Sequence, residues 1–263
     1  MQRVRRAAVI THGPSRNVDE AARRLRALAE AHEVELVRPD EAGVDIAVCL
    51  GGDGTILRAL TRYLDTGVPV IGANFGRVGY LTAIPGAELE TGLARVFRGE
   101  YAVQSLPTLD VQLDGTRHAA VNDVVIVSAA PGRIIEIEHW IGGEDLGTQP
   151  CDGLLCATPP GSTAYNLSNG GPVLVWGLDA AVITFVAPHT LHARPLVVGP
   201  DFELRVVNRT PNVDAVALVD GHPVASLGRD EEATVRFGTS RTLLATLPEQ
   251  TFFGRYAQVF GID

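Results

Sequence analysis

"VDIAVCLGGDGTILRAL", residues 44–60, decides how the first part of this chain folds. Its first seven residues are nearly all apolar, as in a parallel strand covered on both faces. Two glycines, Asp53 and a third glycine stop the run. The apolar spacing of "TILRALTRYLD" then predicts a helix. The flanks extend the alternation. "AAVIT" (7–11) reads as a buried strand. "NVDEAARRLRALAEAH" (17–32) places Val18, Ala21, Ala22, Leu25, Leu28 and Ala29 at helical spacing, with Asn17 and Glu20 as N-cap and N3 pair. "EVELV" (33–37) and "VPVIGAN" (68–74) read as further strands. An α/β layer domain over residues 1–100 is expected.

From about residue 101 the pattern changes. Short β-rich runs such as "TLDVQLDG", "HAAVNDVVIVS", "RIIEIEHWIGG", "GLLCAT", "AVITFVAP", "FELRVV" and "ATVRFG" are separated by turn residues. A second, all-β domain over 101–245 follows. The aromatic, non-strand-like tail 246–263 is read as crossing back to pack on the first domain.

The chain has 263 residues, 46% of them hydrophobic, enough for a substantial core in one or two domains. No signal peptide and no apolar run of membrane-spanning length is read. Cys49, Cys151 and Cys156 have no metal-type spacing and read as buried thiols in a reducing cytoplasm. The net charge of −9 and the lack of a basic cluster beyond the first residues argue against nucleic acid as a partner. The chain contains no lysine; all 22 basic residues are arginine. A P-loop with its lysine is therefore excluded. Any phosphate must be held by backbone N–H groups, arginine, histidine or a metal ion.

The "GGDGT" loop lies at a strand's carboxyl end and before a helix N-terminus, where α/β sheets bind ligands and anions. Asp53 would hold a divalent metal against phosphates, act as a general base, or simply cap the helix. "NFGRVGYLT" (74–82) follows another strand; Phe75 and Tyr80 could flank a ring or belong to the core. In "VNDVVI" (121–126), Asn122 and Asp123 interrupt an apolar strand, and their partner could be a ribose, a base or backbone. "CDGLLCATPPGSTAYNLSNGGPVL" (151–174) is dense in hydroxyls and amides. Such groups have little packing value and suit hydrogen bonds to a sugar and a purine. "APHTLHARPLV" (187–197) carries an H-x-x-H flanked by prolines, a poor metal signal. "VDGH" (219–222) reads as a type I′ hairpin turn.

These motifs, in this order and spacing, closely resemble the NAD kinase family across most of residues 45–225. The resemblance implies an N-terminal α/β domain, a C-terminal β-sandwich and an active site between them. It implies transfer of a phosphoryl group from ATP or polyphosphate to the 2′-hydroxyl of the adenosine ribose of NAD, with a divalent metal, usually Mg²⁺, and a homodimer or homotetramer. Carried onto this sequence, Asp53 is the catalytic carboxylate, to which Mg²⁺ on the donor phosphates could also bind. Gly54 supports the phosphates, and Phe75 lies against the nucleotide. Asn122 and Asp123 hold ribose and base. Thr163, Ala164, Tyr165 and Ser168 line the NAD pocket, with Asp152 nearby; Ala187, on a strand near the subunit contact, and His222 complete the set. Arg58, one turn into the helix, is the nearest cation to the loop. Asp123 stands where the family usually has Glu, and Pro160 where it commonly has Ser or Thr. The competing readings are a lipid or sphingoid kinase, which shares the glycine-aspartate loop, and a nucleotide-sensing module that binds NAD without needing the carboxylate. No basic amphipathic helix for a membrane is read.

Overall fold

The computed structural model describes residues 3–13, 16–76 and 79–261. Arg77 and Val78 of "NFGRVGYLT" lie outside the described residues. Two compact units are present: residues up to Ser105 together with Thr242 onward, and Leu106–Arg241.

In the first unit β1 (Arg6–Thr11), α1 (Arg16–Ala31), β2 (Glu35–Val37), β3 (Ile46–Leu50), α2 (Asp53–Arg62), β4 (Pro69–Asn74), β5 (Ile84–Pro85) and α3 (Leu89–Phe97) follow one another. The strands form a parallel sheet in the order β2-β1-β3-β4. β4 also pairs with β5 and with Leu243–Leu244. All five β3 residues are buried, because helices cover both faces. On one face, Ala21 and Leu25 of α1 and Leu89 and Leu93 of α3 pack with Ile46, Val48 and Ile71. On the other, Ile56 of α2 lies so close to Gly72 that a Cβ there would overlap it. Asn17 differs from expectation: it lies inside the first turn of α1, not at its cap.

The second unit is built from β6 (Ala102–Leu113), β7 (Thr116–Ala120), β8 (Asp123–Ser128), β9 (Ile135–Ile141), β10 (Glu144–Cys151), β11 (Gly153–Ala157), α4 (Tyr165–Ser168), β12 (Ala181–Val186), β13 (Leu196–Val198), β14 (Glu203–Asn208), β15 (Ala215–Val219), β16 (His222–Leu227) and β17 (Glu232–Thr246). One antiparallel sheet runs β13-β12-β11-β8-β15-β16. Strands β10-β9-β14-β17, with β6 and β7, face it. Val124, Ile126, Cys156 and Ile183 meet Leu109, Ile137, Leu204 and Val235 in the core between them, which makes the unit a sandwich. β10 and β16 carry no apolar alternation and are absent from the sequence reading. Both end their rows of strands, and half of the residues of each are exposed. β6 and β17 contribute residues to both units, and α5 (Phe252–Phe260) belongs to the first unit.

The turn at Asp220-Gly221 has φ of +49° and +78°, as a type I′ hairpin requires. All three cysteines are buried and unpaired. Burial pushes the Cys49 and Cys151 thiols up to about 12, which leaves them unreactive. Among the described residues, no helix is long and apolar enough to cross a membrane.

Candidate active site

Asp53 is the first residue of α2, behind Gly52 as N-cap. It does not cap the helix. Its carboxylate turns away and accepts three successive backbone N–H groups: Tyr80 on Oδ2 at 2.7 Å, and Leu81 and Thr82 on Oδ1 at 3.0 and 3.2 Å. The loop comes this close because residue 79 is glycine: a Cβ there would land on the carboxylate. Gly52 and Gly54 are different. Neither has a positive φ, and a Cβ on either would meet nothing within 4 Å. The fold does not require these glycines, so open space remains beside Asp53 at the N-terminus of α2. An anion can approach backbone there.

Arg255 of α5 lies behind the same loop. It is 5% exposed, and its guanidinium donates to the carbonyls of Tyr80 (2.7 Å) and Thr82 and to Gln250 (3.3 Å). Burial pulls it down to about 10, against the opposing charge of Asp53. The sequence reading passed over Arg255. Its signal was available: it is the one basic residue in "TFFGRYAQVF", and a cation in an apolar helix must find buried acceptors.

Phe75 is half-buried against the core of its unit. It lines a cavity of about 670 Å³ with Asn17, Arg24, Asn74, Gln250 and Gln258. Arg58 is exposed and donates to His12 Nδ1 at 2.8 Å, beyond the end of β1.

In the second unit Asn122 lies in the gap between β7 and β8 and Asp123 opens β8, so the two are not a polar pair inside one continuous strand. The N–H groups of Val121, Asn122 and Asp123 point at Asp220, whose carboxylate accepts all three at 3.0, 2.7 and 3.2 Å. Asp220 N donates back to the Asp123 carbonyl at 3.0 Å. This repeats the grip of Asp53 on 80–82, and sequence reading had seen only the turn. Asp123 is 6% exposed; burial first, then the Asp220 charge, pushes it up to about 7. Asn122 Oδ1 is buried with no partner among the described residues. A buried amide oxygen calls for a hydrogen-bond donor, which a bound small molecule can supply.

The stretch 158–168 divides by direction. Thr158, Ser162 and Asn166 are fully buried. Thr158 Oγ1 donates to the Val121 carbonyl (2.6 Å). Ser162 accepts Leu174 N–H (2.8 Å). Asn166 donates to the Ser162 and Pro172 carbonyls and accepts from Thr184. These three brace the loop, which corrects the reading that its polar groups have little packing value. Thr163 and Ala164 are half-buried, and Tyr165 and Ser168 are exposed.

Strand register gathers part of the set. Asp123 pairs with Ala157, and Val124 with Val219. Asn122, Asp123, the 158–168 loop and His222 therefore share one end of the six-stranded sheet. Asp152 and Ala187 do not. They flank Gly153 and Val186, which pair at the other end, roughly 13 Å of strand away. Ala187 lies just past β12 in a left-handed conformation, φ +43°, not on a strand. His189 and His192 stand in the exposed loop after it. Among the described residues, no group of three or more His, Cys, Asp or Glu side chains could hold a metal ion.

Comparison with known proteins follows the same division. Residues 5–101 match the ATP-NAD kinase N-terminal domain, and 121–247 the ATP-NAD kinase C-terminal domain. An NAD kinase of Heliobacterium modesticaldum is 34% identical over 253 residues, covering 94% of this chain and 83% of its own. One from Thermomicrobium roseum is 36% identical over 265 residues, covering 97% and 90%. The crystal structure of an NAD kinase from Archaeoglobus fulgidus in complex with ATP superposes with a TM-score of 0.81 at 27% identity, covering 98% of this chain and all of that one.

Proposed function

The chain belongs to the NAD kinase family, enzymes that phosphorylate NAD to NADP, and we propose that it transfers the γ-phosphoryl of ATP to the 2′-hydroxyl of the adenosine ribose. The observation that carries this reading is Asp53, held by three N–H groups beside two glycines that the fold does not need. ATP is favoured over polyphosphate because the archaeal relative was crystallised with ATP.

Phosphoryl transfer needs positioning and charge neutralisation more than covalent chemistry. Gly52, Gly54 and the first N–H groups of α2 receive the donor phosphates. Asp53 accepts the proton of the attacking hydroxyl. The grip of residues 80–82 fixes its orientation, so no reorganisation is needed as the reaction proceeds. Asn122 offers its unpartnered Oδ1 to the nucleoside, and Asp123 a carboxyl. Thr163, Ala164, Tyr165 and Ser168 form the other wall, with His222 at the rim. Phe75 is assigned to the nucleotide, and Arg58 with His12 to the donor's phosphates.

The donor set suits a divalent metal such as Mg²⁺, which takes one or two carboxylates and draws its remaining ligands from phosphate and water. Asp53 Oδ2 accepts one N–H and has a second lone pair for it. When bound there, the ion would neutralise charge on the donor phosphates.

Asp152 and Ala187 sit a strand length from the other assigned residues, so we assign them to the nucleotide site of a second copy in a homodimer or homotetramer. Sedimentation at micromolar concentration is expected to give a multiple of 27.9 kDa; a monomer mass would remove this assignment. The enzyme is placed in the cytoplasm, where its three buried thiols stay reduced.

The direct test is incubation of pure protein with NAD, Mg²⁺ and either ATP or polyphosphate, read with an NADP-specific dehydrogenase, which responds only to the 2′-phosphate. Tyr165→Ala and Asn122→Ala are each expected to raise KM for NAD by about one to two orders of magnitude, for losses of about 1–3 kcal/mol. Unchanged KM in both variants would misplace the pocket.

A further inference from the structure

We infer that Arg255, in the C-terminal helix, is a positioning residue for the catalytic carboxylate: it fixes the 80–82 loop that in turn fixes Asp53. The inference rests on the assignment of Asp53 to the reaction. Its basis is a continuous path of hydrogen bonds. The Tyr80 carbonyl and the Leu81 N–H belong to one peptide group. Arg255 donates to that carbonyl at 2.7 Å, and that N–H donates to Asp53 Oδ1 at 3.0 Å. A cation and an anion thus grip opposite ends of the same peptide dipole, which strengthens both bonds. The second contact of Arg255, on the Thr82 carbonyl, holds the loop two residues on, next to the N–H that also reaches Oδ1.

The rest of the helix supports the same loop. Thr251 caps it by accepting Gly254 N–H at 3.1 Å. The Tyr80 ring packs against Phe252 and Phe260, with centroids 6.3 and 5.9 Å apart. Residues 80–82 are therefore fixed from three directions: Asp53 in front, the guanidinium behind and aromatic rings at the side. Gly79 leaves no slack, since any side chain there would displace the carboxylate. A loop under this constraint holds Asp53 in one orientation. Without the guanidinium, two buried carbonyls lose a charged donor, and the loop can shift to find others.

The test uses Arg255→Lys and Arg255→Ala in the full-length enzyme. Both carbonyl bonds come from Nη1, while Nη2 reaches Gln250. Lysine keeps the charge and one nitrogen, but a flexible ammonium has no planar second arm to hold Gln250 and fix its own direction. Both variants are expected to lose kcat by roughly tenfold to a hundredfold, the effect of a small misplacement of a reacting group, while KM for NAD stays within about twofold. Guanidinium chloride at low millimolar concentration should partly restore kcat of Arg255→Ala, and urea at equal concentration should not. If Arg255→Ala does not fold by circular dichroism, the kcat against KM split of Arg255→Lys decides. Parent-level kcat in the variants, or a fall in kcat matched by a rise in KM with no guanidinium rescue, overturns the inference. Asp53→Asn, run in parallel, separates the two claims. If it loses kcat while the Arg255 variants do not, only the positioning role falls; if it too keeps kcat, the assignment of Asp53 fails.

Discussion

Asp53→Asn is expected to lower kcat by at least about a hundredfold, the lower end of what loss of a general base costs, with KM for NAD changed only a few-fold. The structure adds a second consequence. An asparagine has one acceptor oxygen, whereas the Asp53 carboxylate receives N–H groups on both. If the carbonyl takes Leu81 and Thr82, the new NH₂ faces the N–H of Tyr80, donor against donor. Loosening of the loop by about 1–3 kcal/mol is expected, seen as a lower melting temperature. The two proposed roles separate by metal titration. High Mg²⁺ or Mn²⁺ partly restores a variant that has lost a metal anchor and leaves a variant that has lost its base unchanged. Turnover at the parent rate would reduce Asp53 to a turn residue.

Asp123→Asn is expected to stabilise the protein, by an amount that depends on pH. In the folded chain Asp123 is pushed up to about 7 from an ordinary 3.8, by burial and then by Asp220. The folded state therefore holds a proton that the unfolded state has released, and stability falls as pH rises from about 4 to about 7. The total is about 4 kcal/mol, at about 1.4 kcal/mol per pH unit. Asparagine removes this cost. Its advantage in denaturation experiments should be largest at pH 8 and vanish toward pH 4. KM for NAD should rise at the same time, since a carboxyl assigned to the substrate is gone. A pH-independent difference in stability would refute the account. A buried, destabilised carboxyl beside an unpartnered amide is the kind of strain that binding sites retain at the expense of stability.

The interior of 158–168 illustrates what local pattern can and cannot carry. Thr158, Ser162 and Asn166 look like Thr163, Tyr165 and Ser168 in sequence, all polar or hydroxylated in a glycine- and proline-rich stretch. The first three brace the loop and the others face outward. The spacing of four among the first three is a helical one, but Pro159, Pro160 and Gly161 interrupt it, and the direction of each is set by partners such as Val121, Leu174 and Thr184, 12 to 37 residues distant. Edge strands β10 and β16 escaped for a related reason: strands that face solvent need not alternate.

By itself the sequence determined the alternation of strands and helices in the first hundred residues, the β-rich character of the second part, the Asp220-Gly221 turn and the family. Each is written in neighbouring residues, as hydrophobic period, turn chemistry or motif spacing. Only the tertiary structure decided what the carboxylates do. Asp53 receives N–H groups from 27 to 29 residues away, Asp220 from 97 to 99, and Arg255 reaches back across 173 and 175. Such contacts join groups that are strangers in sequence. They exist because buried backbone N–H and C=O groups must be paired once packing has removed water, and which side chain reaches them is settled only when the chain has closed on itself.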